Sequence, residues 1–162
     1  KNSRASFGKE KENAGGGLAV KIALLQMEVR EKAPEANTAH GLALLEQAAG
    51  QADVLVLPEV WTTGYSLGKV KETAVPIDGP LCQKLQALAA NTRTTIIAGS
   101  MAMARDGRVY NATPVWNADG ELLTVYEKIH LFSLYHEENI FAPGEQRALV
   151  PVEEWEIGQG IW

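Results

Sequence analysis

Two short apolar runs flank one helical stretch near the start of this chain, and together they leave few folds open. Leu18–Met27 is apolar apart from Lys21 and Gln26. It is far too short to span a bilayer, and it suits a strand buried on both faces. Ala36–Ala49 places Leu42, Leu45 and Ala49 at helical spacing, with Gly50 as its C-cap. Asp53–Leu57 reads as a second buried strand, ended by Pro58. Strand, helix, strand in this order predicts a parallel pair joined by a crossover helix.

The pattern continues and then changes. Val60–Ile77 is a long connection of the kind that carries function inside compact domains. Asp78-Gly79-Pro80 opens a helix whose apolar face is Leu81, Leu85, Leu88 and Ala89, and Thr94–Gly99 is a third strand. Asp106-Gly107 is a hairpin signal before strand Val109–Trp116. Asn117–Gly120 is a second turn, before strand Leu122–Tyr126. A loop over Lys128–Gly144 precedes two strands around Ala148–Val152 and Trp155–Ile161. The expectation is α/β first and an antiparallel meander after it. Residues 1–17 show no period and end in three glycines, so they are expected to be a disordered tail, an upstream extension or a cloning remnant. Residues 18–162 then form the folded unit.

Composition narrows the function. The net charge is −5, which leaves no basic footprint for nucleic acid. No apolar run reaches membrane-spanning length, so no membrane partner is expected. Cys82 is the only cysteine, which excludes an internal disulfide and a multi-thiolate metal site. A reducing, cytoplasmic compartment is the corresponding expectation.

Three places carry chemistry. Glu59 follows the C-terminal end of a buried strand, where open α/β sheets place ligands, and there it fits a general base or a solvated loop acid. Lys128 lies where a strand of alternating charged and apolar residues ends; it fits an oxyanion stabiliser or a surface lysine. Glu137 and Glu138 lie near His130 and His136, but the histidines lack the one-turn spacing of a helical metal motif, so no metal or cofactor is expected. Gly64–Val70 is no phosphate loop, because it is one residue short between its glycines and has Val70 in place of Ser or Thr. Asn111-Ala112-Thr113 matches a glycosylation triplet only formally, since it sits in a predicted strand and is followed by Pro114.

The order of these segments resembles the nitrilase superfamily of carbon–nitrogen hydrolases. Lys21–Met27 is similar to its opening strand. Leu57-Pro58-Glu59 with Gly64-Tyr65 is similar to its general-base motif. Ile96–Ser100, Tyr110-Asn111-Ala112, Asn117–Glu121, Tyr126–Phe132 and Phe141–Gly144 follow as its strand, hairpin, lysine motif and loop. The resemblance implies a four-layer α-β-β-α sandwich, incomplete in this chain, and a Glu–Lys–Cys triad. Glu59 is then the base, Lys128 the oxyanion lysine and Glu137 a supporting carboxylate. The nucleophilic cysteine is expected where Trp162 stands, and Cys82 does not align with it, so this chain alone is expected to be inactive. Trp61–Tyr65 and His130–Ser133 look most like ω-amidase-type members, which act on small amides. Trp61, Tyr65 and Phe132 fit either walls of a small substrate pocket or core and dimer contacts. Homo-oligomerisation of the full-length protein is a further expectation from the family. Two other readings stand beside this one: a non-catalytic pseudoenzyme half-domain that needs a partner, and an unrelated small-molecule-binding α/β domain.

Overall fold

The computed structural model describes residues 4–7 and 19–161. The strands are β1 (Arg4–Phe7), β2 (Ile22–Gln26), β3 (Val54–Val56), β4 (Val75–Pro76), β5 (Thr95–Ile97), β6 (Met101–Arg105), β7 (Arg108–Trp116), β8 (Leu122–Glu127), β9 (Leu149–Val152) and β10 (Trp155–Gly158). The helices are α1 (Pro34–Ala48), α2 (Val70–Thr73) and α3 (Pro80–Thr92).

Strands β2, β3 and β5 pair in parallel, with α1 crossing between the first two. From β5 onward the sheet turns antiparallel through β7, which pairs with β5 and β6 and also with β8. The switch is written in the turn chemistry. Asp106 and Gly107 both take positive φ, which matches the twist of a two-residue hairpin between β6 and β7.

Alternation along the strands sorts the side chains into two faces. Ala23, Leu25, Leu55 and Ile96 join Leu44, Leu45 and Ala48 of α1 and Cys82, Leu85 and Ala89 of α3 in one core. Val54, Ile97 and Val115 point the other way, onto Val150 and Val152 of the β9–β10 hairpin. The described residues therefore form a helix layer, a sheet and part of a second sheet. This arrangement agrees with the expected α-β-β-α sandwich, with three of its four layers represented among the described residues.

Four expectations need correction. Strand β2 is not buried on both faces: Ile22 and Leu24 are 38% and 58% exposed, because only one face meets α1. The buried face of α1 is Asn37, Gly41, Leu44, Leu45 and Ala48, displaced from the Leu42–Ala49 stripe because Gly41 admits the Trp61 ring. The connection 60–77 holds a 3₁₀ turn at Leu67–Lys69, α2 and the edge strand β4. Arg4–Phe7, inside the expected disordered tail, pairs antiparallel with β2 and occupies an edge that would otherwise leave backbone groups unpaired. Residues 1–3 and 8–18 lie outside the described residues.

Candidate active site

The site begins at a break in a strand. β5 and β6 lie along the same partner, β7, with Ala98, Gly99 and Ser100 between them. Gly99 has φ +61°, and a Cβ there would lie 2.3 Å from the Pro58 carbonyl oxygen. Only glycine lets the chain after β3 come this close. Ser100 then clamps that chain. Its N–H donates to Pro58 O (3.1 Å), its Oγ accepts from Val60 N (2.9 Å), and its carbonyl accepts from Trp61 N (3.2 Å). Val60 has φ +45°, a strained conformation for a β-branched residue. The strain sits next to Glu59 and turns the carboxylate in toward the end of β8.

Lys128 arrives from the opposite side. Its N–H donates to the Asn111 carbonyl at 2.9 Å, and its own carbonyl accepts from Gly144 N at 2.8 Å. Gly144 is needed there, since a Cβ would sit 2.3 Å from Glu127 O. Lys128 Nζ lies 3.0 Å from Glu59 Oε1 and 3.0 Å from Glu137 Oε2. Glu137 Oε2 also accepts from Phe132 N at 2.7 Å, which closes the loop 132–137 onto the lysine. Asn111 Nδ2 donates to Glu59 Oε1 at 3.1 Å.

Burial assigns the members different chemical freedom. The side chains of Lys128 and Glu137 are 1% and 0% exposed, whereas that of Glu59 is 24% exposed. The lysine and the second glutamate are thus enclosed, and Glu59 is the carboxylate that an incoming molecule can reach. Two carboxylates share one ammonium, so the trio carries one excess negative charge. Burying such a group costs desolvation that Coulomb attraction only partly returns, which is weak support for a purely structural role. Glu59 also borders an open cavity of about 350 Å³, lined among others by Leu24, Val56, Thr113, Ile157 and Ile161.

Among the sequence candidates, Glu59, Lys128 and Glu137 converge. Tyr65 and Phe132 sit beside them, partly exposed, and both pack on Tyr135, with ring centroids 5.1 and 5.2 Å apart. Burial, and then the Glu59 charge, hold the Tyr65 hydroxyl well above the usual tyrosine range. Trp61 is different. It is 0% exposed, and its Nε1 donates to Ala98 O at 2.7 Å. It is a core residue and not a pocket wall. His136 is exposed against Glu138, apart from the lysine. Cys82 is buried in α3, and burial pushes its thiol up to about 11. Trp162 lies outside the described residues.

Sequence reading gave no site role to two neighbours. Tyr135 stands one 3₁₀ turn beyond Phe132, a spacing that could have flagged it. Asn111 is a polar residue between the apolar Tyr110 and Ala112 of β7, and that break in the pattern was its signal.

Residues 21–161 match the model of the carbon-nitrogen hydrolase family. The chain belongs to the carbon–nitrogen hydrolases. Within this family it is 35% identical to the 2-oxoglutaramate amidase of Bacillus subtilis, over 77% of this chain and 48% of that protein. It is 32% identical to omega-amidase NIT2 of Danio rerio, over 87% of this chain and 53% of that one. Among solved structures, XC1258 of Xanthomonas campestris is a carbon–nitrogen hydrolase superfamily protein with an arsenic adduct in its active site. It matches with TM-score 0.78 and 33% identity, covering 86% of this chain and 51% of that chain. Nit3 of Saccharomyces cerevisiae, a nitrilase-superfamily member, matches with TM-score 0.76 and 25% identity over 87% and 54%. This carbon–nitrogen hydrolase chain thus spans about half the length of the relatives it matches. Among the described residues, no helix is long and apolar enough to cross a membrane.

Proposed function

We propose that these residues form the base-and-lysine part of an amidase of ω-amidase type, acting on the amide group of a small monoamide. The observation that carries this reading is the placement of Lys128 Nζ 3.0 Å from both Glu59 and the enclosed Glu137, with only Glu59 reachable from solvent. The similarity to an amidase of Bacillus subtilis and to an omega-amidase supports the substrate class.

The chemistry follows from the charges. Glu59 takes the proton of a cysteine thiol, because the thiolate is the nucleophilic form. The thiolate adds to the amide carbon, and the carbonyl electron pair moves onto oxygen beside Lys128 Nζ. The tetrahedral centre collapses as the amine leaves with the proton that Glu59 held. Glu59 then takes a proton from water as its oxygen adds to the thioester carbon, the C–S bond breaks, the acid leaves, and the proton returns to the sulfur. Glu137 holds the ammonium in place from behind. Tyr65, Phe132 and Tyr135 form an aromatic rim next to the carboxylate.

Cys82 does not fit the thiol's role, since it is buried among α3 core residues with its thiol pushed up to about 11. A polypeptide of these 162 residues is therefore proposed to be inactive by itself, with Trp162 at the nucleophile's position. A second reading, a non-catalytic half-domain that works with a partner, is favoured by the exposed apolar Ile22 and Leu24.

One pair of assays tests the first reading. The chain should release no ammonia from small dicarboxylate monoamides. Turnover that vanishes in Glu59→Gln would overturn the inactivity. In Trp162→Cys, the new thiol should alkylate faster than Cys82, and that rate should fall on adding Glu59→Gln. Equal rates with and without Glu59 would refute the placement and leave the partner-dependent module.

A further inference from the structure

Asn111 lies on β7, fully buried, between the two charged groups of the site. It touches both. Its main-chain carbonyl accepts the Lys128 N–H at 2.9 Å, and its Nδ2 donates to Glu59 Oε1 at 3.1 Å. Its Oδ1 is buried with no hydrogen-bond partner. The amide has no choice of orientation, because a carboxylate only accepts and so must be met by the NH₂ end. The consequence is an unpaired buried oxygen, which native structures avoid. A residue selected for packing alone would carry no such oxygen. The orientation keeps one donor on Oε1.

We infer that Asn111 is a positioning residue for the base. Asn111 Nδ2 and Lys128 Nζ both converge on Oε1, and so fix the plane of the Glu59 carboxylate. Oε2 is bonded by neither, and it is the oxygen left for proton transfer. The main-chain carbonyl of the same residue accepts the Lys128 N–H, so the base and the lysine are both referred to one position on β7. This deepens the reading of Glu59 as a base and rests on it, but the carboxylate itself can be observed without any turnover.

The test is a carboxyl ¹³C titration of the 162-residue chain labelled at glutamate, with the Glu59 signal assigned by its loss in Glu59→Gln. Asn111→Leu keeps the branching and removes the donor. The Glu59 midpoint should rise by about one pH unit, since a hydrogen bond to the charged form is lost. The Glu137 midpoint should move by less than about a third of that, and the thermal midpoint should hold or rise because the unpaired oxygen is gone. A Glu59 midpoint within about 0.2 unit of the parent overturns the inference, whatever the stability does. If the leucine variant does not fold, Asn111→Asp keeps the shape and sets two carboxylates against one another. Their shared titration should then show an upper midpoint above the parent value, and its absence overturns the inference equally. Failure of the amidase assays would leave this titration unchanged, so the two ideas fall separately.

Discussion

Lys128→Met isolates the energetics of the site. The substitution keeps most of the aliphatic stem and deletes the ammonium from between Glu59 and Glu137. Glu137 is 0% exposed and keeps only the Phe132 N–H as a partner. Removing one member of a buried ion pair costs about 3–5 kcal/mol, because the remaining charge is left unsolvated. For a domain of this size that lowers the melting temperature by about 10 °C, a large share of an ordinary total stability. Glu59 contributes less to the cost, since a quarter of its side chain already meets water. The double variant Lys128→Met, Glu137→Gln should therefore recover about half of the loss, because the buried charge is gone while the Phe132 contact is kept. Urea unfolding followed by tryptophan fluorescence measures both. A single-variant loss below about 1 kcal/mol, or no recovery in the double variant, would refute the view that Lys128 neutralises an enclosed acid.

Two further outcomes follow from local geometry. Gly99→Ala should lose about 2 kcal/mol or more, through a positive φ and a Cβ 2.3 Å from Pro58 O, whereas Gly107→Ala, with no neighbour within 4 Å, should lose only about 1 kcal/mol; equal losses by denaturant titration would contradict the close approach at Gly99. Tyr65 has a raised folded-state value, so its contribution is complete below the ordinary tyrosine range near pH 10 and is lost as pH rises through the folded value; Tyr65→Phe should shift alkaline unfolding to higher pH, and an unmoved midpoint would contradict the Tyr65–Glu59 contact.

Much of the fold was legible because the local signals agreed. The Asp106-Gly107 turn, the Pro58 stop and the Asp78-Gly79-Pro80 helix start each act within a few residues. Glu59 and Lys128 stood out from their place at strand ends, whereas Glu137 was singled out only through the family resemblance. What the sequence hid depended on distant partners. The outward face of β2 looked like core because Ile22 and Leu24 are apolar, and apolarity does not say which face has a neighbour. Trp61 fitted a pocket wall and a core residue equally well in sequence, and only the Ala98 carbonyl and Gly41 that enclose it decide between them. The motifs that contain Asn111 gave it no place in the site, because its partner is a carboxylate 52 residues away.

The clamp at Ser100 has a consequence for how the site comes into being. Lys128, Phe132 and Glu137 are near neighbours along the chain and can close as a small loop. The residues on either side of Glu59 are tied down by Ser100, and its carboxylate reaches Lys128 across 69 residues, so it has nothing to hold it until β3, β5 and β7 have aligned. Contacts of that sequence separation form late, after the entropy of closing long loops has been met. The enclosed half of the site can therefore exist before the reachable half, and the acid is the last member to take its place.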